Sequence, residues 1–130
     1  MRTILAKILA CVATLLVFAT AFAALPDRND LTGRWDCDDG GTYYIRQIGK
    51  DVWWSGRSGE SKGKRAFANV FHGTINGNVI TGSWVDDPAG ESRNAGKLTL
   101  EIIGDGKTLQ LRRTKETGGF SGGTWTPHKK

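Results

Sequence analysis

Past residue 30 the chain is built from short runs in which apolar and polar positions alternate, cut at intervals by Gly, Asn and Asp. A period of two marks a strand with one buried and one solvated face. No stretch of this region carries the wider spacing of an amphipathic helix. The pattern predicts strands at 31–37, 42–48, 51–57, 66–75, 79–86, 95–103, 107–113 and 122–126. Eight short antiparallel strands with regular turn signals point to an all-β sandwich or barrel.

Three hairpins can be registered from their turns. In YYIRQIGKDVWWSG, Gly49 at the first central position suits a type II′ turn over Gly49-Lys50. That turn pairs Gln47 with Val52, Arg46 with Trp53, Ile45 with Trp54 and Tyr43 with Gly56. Trp54 then shares a face with Tyr43, Ile45, Gln47 and Val52, and Trp53 lies on the other face with Tyr44 and Arg46. In VFHGTINGNVITGSW the turn falls at Asn76-Gly77 or Gly77-Asn78. Either choice puts Phe67, Asn69, Phe71, Gly73 and Ile75 on one face with Ile80, Gly82 and Trp84. In KLTLEIIGDGKTLQLRR a turn centred on Asp105-Gly106 puts Leu98, Leu100, Ile102, Leu109, Leu111 and Arg113 on one side. Thr99, Glu101, Thr108, Gln110 and Arg112 take the other, the alternation of a half-solvated sheet.

A G-x-W step recurs at Gly33-Arg34-Trp35, Gly82-Ser83-Trp84 and Gly123-Thr124-Trp125. Residues two apart share a face. The expectation is that each glycine leaves a gap for a neighbouring indole and lets the sheet coil tightly enough to close.

The beginning of the chain differs. MRTILAKILACVATLLVFATAFA has a positive start at Arg2 and Lys7, an apolar run, and a small-x-small step at Ala21-Phe22-Ala23. This is the pattern of a secretory signal peptide, residues 1–23, with a single domain over 24–130. It predicts a secreted or periplasmic protein with no stable membrane anchor after cleavage. Without Arg2 and Lys7 the chain keeps 16 basic against 13 acidic side chains. That small excess argues solubility and no nucleic-acid partner. Removal of Cys11 leaves Cys37 alone, so no internal disulfide and no cysteine-based zinc site can form.

LTGRWDCDDGGTYYI resembles the first hairpin of avidins, and its G-x-W opening resembles lipocalins. Both belong to the calycin-type barrels. The resemblance implies a small closed up-and-down antiparallel barrel of about eight strands. It also implies an interior, buried Cys37 beside Trp35. Avidins carry a biotin-binding asparagine where this chain has Cys37, and a ligand serine where it has Gly41. A thiol is a weak hydrogen-bond partner and glycine offers no side chain, so the biotin chemistry does not carry over. By analogy with lipocalins, Arg113 would close the barrel bottom over Trp35. FANVFHGTINGNVITGSWVDDPAG also resembles a group of small secreted proteins known mainly as hypothetical sequences, which brings no activity with it.

With the Trp35 face turned inward, the lumen would hold Tyr43, Gln47, Trp54, Asn69, Phe71 and Trp84. Aromatic walls with a few polar groups have the composition of a ligand pocket, although side chains can also fill a barrel of this size. The leading expectation is a non-catalytic binding protein. Tyr43, Gln47, Trp54, Asn69 and Trp84 would line a cup for a small molecule or glycan. The alternative is a protein-interaction or enzyme-inhibitor module using Tyr44, Arg46 and Trp53 on the outer face. Lysozyme-inhibitor-like barrels are small, secreted and β-rich, and WDCDDG resembles their aromatic-x-Cys stretch. The outer cluster also has a purely structural reading, a cation–π pair of Arg46 on Trp53.

No enzyme, cofactor or metal is expected. DCDDGG at 36–41 lacks the alternate-position aspartates and distant glutamate of a calcium loop and reads as a tight turn. TGGFSGG at 117–123 has no following lysine to make a phosphate loop. RSGESKGKR at 57–65 reads as a flexible solvated loop, and VDDPAGESRNAG at 85–96 as a polar loop beside a barrel mouth. His72 falls mid-strand on the outer face and His128 in a basic tail, and no nucleophile has a readable base. A carboxylate hydrolase joining Asp86 or Asp87 to Glu91 or Glu101 is the weakest option.

Overall fold

Glycine-led turns and alternating faces make a closed barrel in the computed structural model, which describes residues 30–130. The predicted signal peptide at 1–23 lies outside the described residues. The strands are β1 (Gly33–Cys37), β2 (Thr42–Ile48), β3 (Asp51–Arg57), β4 (Glu60–Ser61), β5 (Lys64–Arg65), β6 (Ala68–Asn76), β7 (Val79–Asp86), β8 (Ala95–Ile103), β9 (Gln110–Glu116) and β10 (Thr124–Pro127). Eight of them form one antiparallel barrel in the order β1-β10-β9-β8-β7-β6-β3-β2, and β4 pairs only with β5. β10 closes the sheet by pairing with β1, so no edge is left open.

The registers follow the turns. Gln47 faces Val52, Arg46 faces Trp53, Ile45 faces Trp54 and Tyr43 faces Gly56. Gly49 has φ 58° and Lys50 does not cross to positive φ, as a type II′ turn requires. The next hairpin turns over Gly77-Asn78, with Asn76 opposite Val79. Parity then sends Trp35, Tyr43, Trp54, Phe71, Trp84, Leu98, Leu100, Leu111 and Trp125 into one buried cluster. Cys37 is in the same cluster, buried as the avidin-like alignment implies.

Several details depart from the expectations. The strand placed at 107–113 starts later and ends later, at Gln110–Glu116. A 3-10 turn over Gly106–Thr108 takes up the first residues. A register shift between Thr99 and Leu100 then carries the pairing on to Glu116. The 57–65 loop is not flexible coil; it includes the β4–β5 hairpin, whose Lys62 and Gly63 both hold positive φ. The glycine gaps are real but indoles do not fill them. Gly33 has open space about its Cα, and Gly123 meets only the Asp38 side chain. Filled gaps include Gly56, occupied by the Tyr43 ring, and Gly73 and Gly82, occupied by Phe71 and by backbone.

Arg113 does not lie over Trp35. β9 runs upward from the bottom of the barrel, so Arg113 stands above Leu111, and Leu111 is already level with Trp125. Its guanidinium donates to the Phe120 carbonyl in the upper loop. The bottom is closed instead by Leu31, fully buried. The Trp35 indole donates to the Leu31 carbonyl at 2.8 Å, and the Leu31 N–H donates to Gln47 Oε1 at 3.0 Å.

Candidate functional site

The top of the barrel, where β1 ends and β2 begins, carries four connections. These are residues 38–41, 58–67, 87–94 and 117–123. The last decides the shape of the mouth. Gly118 and Gly119 hold φ of 88° and 86°, which lets the chain turn back over the barrel. Glu116 Oε2 accepts from the Gly119 and Phe120 N–H groups at 3.0 and 3.2 Å. Asp38 Oδ1 accepts from Gly123 N–H at 2.8 Å. So held, the loop drives Phe120 down into the lumen. Its ring meets Trp84 edge-on at 4.9 Å and tilts over Trp54 and Trp125 at 6.1 and 5.8 Å.

Below Phe120 the lumen is packed with side chains. Trp54 stacks on Phe71 at 4.2 Å, and Tyr43 meets both Trp54 and Trp125 edge-on, at 5.4 and 5.7 Å. Trp125 Nε1, in this packing, has no hydrogen-bond partner. Above it lies a cavity of about 210 Å³ whose lining includes Asp39, Phe67, Asn69, Trp84, Asp86, Ser92, Phe120 and Ser121.

The five interior candidates therefore separate. Asn69 and Trp84 reach the floor of the mouth cavity. Tyr43 and Trp54 lie beneath it in the packed lumen, tied to it by hydrogen bonds. Trp54 Nε1 donates to Asn69 Oδ1 at 2.8 Å, and the Tyr43 hydroxyl donates to Asp39 Oδ2 at 2.6 Å. Trp84 Nε1 donates to the Thr117 carbonyl at 3.1 Å. Gln47 stands at the opposite end, where it holds Leu31 and donates to the Gly49 carbonyl.

Burial sets the chemistry of this layer. It pushes the Tyr43 phenol well above its ordinary range, and the Asp39 carboxylate beside it pushes the same way. Burial likewise raises the Cys37 thiol, against backbone hydrogen bonding that favours the thiolate. Both groups stay protonated at neutral pH, which makes Cys37 an inert thiol. Asp38 is lowered, chiefly by the Gly123 N–H it accepts.

The outer candidates also occupy new surroundings. Trp53 faces solvent, 39% exposed, while Trp54 is 3% exposed. The ring on Trp53 is His72, stacked at 4.9 Å and 17°, rather than Arg46. His72 Nε2 also lies 3.3 Å from Asp51 Oδ1. Asp86 is at the mouth and Glu101 at the other end of the barrel, opposite Val79 and bonded to Arg112, so that pair is not assembled. Among the described residues no group of three or more His, Cys, Asp or Glu could hold a metal ion.

Phe67, Phe120, Ser92 and Ser121 were not singled out from the sequence. The 117–123 glycines flanking a lone phenylalanine were the available signal: free turning on both sides of one large apolar side chain. Fold and mouth together define a closed eight-stranded antiparallel barrel with a plugged lumen and one polar-aromatic opening. Comparisons with protein families, with curated proteins and with solved structures found no match to this chain.

Proposed function

We propose that this is an exported, non-catalytic binding protein that takes a small hydroxyl-rich group, such as the end unit of a glycan, at the barrel mouth. The observation that carries the reading is the floor of the cavity, where the buried Asn69 amide lies beside Trp84 and Phe120. Apolar ring surface flanked by amide, carboxylate and hydroxyl groups suits a sugar: C–H faces pack on the rings and hydroxyls bond to the polar groups. Asp39 and Asp86 supply acceptors, and Ser92 and Ser121 supply donors or acceptors. The cavity is smaller than the roughly 300–1,000 Å³ of drug-sized sites. It matches one terminal unit rather than a whole oligosaccharide.

Export rests on the leader pattern of residues 1–23 and is checked by N-terminal sequencing of the secreted chain. Binding is checked by titrating glycans of defined end unit and following tryptophan fluorescence. Ser92→Trp, which fills the mouth from a half-buried loop position, should abolish the response while the barrel stays folded. An equal response in Ser92→Trp, or turnover of any glycan, would overturn the proposal.

A further inference from the structure

The outer surface of β2, β3, β6 and β7 carries a second feature, independent of the mouth. Cross-strand pairing lines up Arg34, Tyr44, Ser55, Val70, Val85 and Ala95 in one row across six strands. The row beneath it runs Arg46, Trp53, His72, Ser83 and Lys97. Tyr44 is 54% exposed, and Val70 and Val85 are 41% and 46% exposed. With Trp53 in the next row they make an apolar patch, interrupted by Ser55, on the solvent side of the sheet, where a soluble sheet normally alternates to polar.

Within these two rows the formal charges have one sign. Neither row contains a carboxylate. Arg34, Arg46 and Lys97 make no ion pair among the described residues, and Arg57 stands one register step above them. Carboxylates stand at the margins: below, Asp51 beside His72 and Asp30 within the field of Arg46, and above, Asp36, bonded to His128, in the row of Thr42 and Arg57. A second copy pairing through this face would set like charges against each other in a two-fold contact. A polysaccharide would leave Val70 and Val85 without an apolar partner, and His72 already covers one face of Trp53.

We propose that this face docks an acidic protein surface, one with an apolar centre ringed by carboxylates. Trp53 and Tyr44 are the central anchors and Arg34, Arg46 and Lys97 the steering rim.

The probe is a strand-forming peptide that alternates Glu and Val around a central Phe, titrated against the protein and followed by backbone amide shifts. Saturable binding is expected, with shifts confined to the rows of Tyr44 and Trp53. Arg46→Glu with Lys97→Glu should weaken it about tenfold with an unchanged unfolding midpoint, since rim charges govern encounter. The same double variant should bind the Lys-for-Glu version of the peptide, a rescue that simple damage to the fold would not produce. The proposal is overturned if binding does not saturate, if shifts fall at the mouth, or if the double variant binds the acidic peptide undiminished. Polygalacturonate, anionic phosphatidylglycerol vesicles or a second copy of the chain occupying this face instead would overturn it as well.

Discussion

Trp54 Nε1 donates to Asn69 Oδ1 at 2.8 Å from β3 to β6, and both side chains are 3% exposed. A buried donor that loses its acceptor keeps the cost of leaving water. Asn69→Leu should therefore cost about 1–3 kcal/mol, beyond any packing change. Trp54→Phe removes the donor at its source. In a double-mutant cycle the two changes should cost less together than the sum of the singles, with a coupling of about 0.5–3 kcal/mol. Urea unfolding midpoints of the four proteins test this, and additive losses would show that the bond contributes nothing.

Gly82 is one of the barrel glycines that leave no room for a side chain. Any Cβ there overlaps the His72 carbonyl and the Gly73 Cα, which are backbone and cannot rotate aside. Gly82→Ala should destabilise by about 1–3 kcal/mol through overpacking. Gly59→Ala is the control: its surroundings are open, and its φ lies outside the left-handed region. It should be neutral or stabilise by up to about 1 kcal/mol, because alanine narrows the unfolded ensemble. Thermal unfolding of the two variants checks the contrast, and equal effects would refute it.

Strand parity was legible because it is local: Gly49 and Gly77 fix two registers, and each register fixes a face for every side chain between them. That was enough to send Trp54 inward and Trp53 outward. Three features were not legible, for a common reason. Phe120 plugs the lumen because its loop, held locally by Arg113 and Glu116 of β9, is also tied at Gly123 to Asp38, far away in the sequence. His72 reaches Trp53 across a ladder formed only when β6 closes on β3. Arg113 is kept from the bottom by the level at which β9 pairs with β10, where Leu111 already faces Trp125. Each depends on where separate strands end up, which the period-two pattern does not encode.

Acid should weaken the loop that holds Phe120. The Gly123 N–H lowers Asp38 first, with help from Thr124 N–H. A folded-state pKa below the unfolded value of about 3.9 means that protonation opposes folding. The contribution is complete above that unfolded value and is lost as pH falls through the lower folded one. Asp38→Asn should thus reduce stability by a constant amount at neutral and mildly acidic pH, and the gap should close below about pH 4. Asp30 shifts the same way through Thr32, so the comparison is best made in an Asp30→Asn background. Urea midpoints across the acid range test it. A gap that persists undiminished at the lowest pH would remove the charge from the explanation.

Tyr43 should do the reverse at the alkaline end. Burial first, then the Asp39 carboxylate, hold its phenol protonated well above the ordinary value of about 10. For a raised pKa the contribution is full below the unfolded value and is lost as pH climbs towards the folded one. At neutral pH Tyr43→Phe removes the 2.6 Å bond to Asp39 and should cost about 1.5–3 kcal/mol, the range for hydrogen bonds to charged groups. Above about pH 10 unfolding of the native chain is coupled to ionisation of this phenol and that of the variant is not, so the difference should narrow. The phenolate absorbance of the two folded proteins should also overlay until the native chain unfolds. A separate increment in the folded native protein, missing in Tyr43→Phe, would show that this hydroxyl reaches water and that the layer beneath the mouth is not closed.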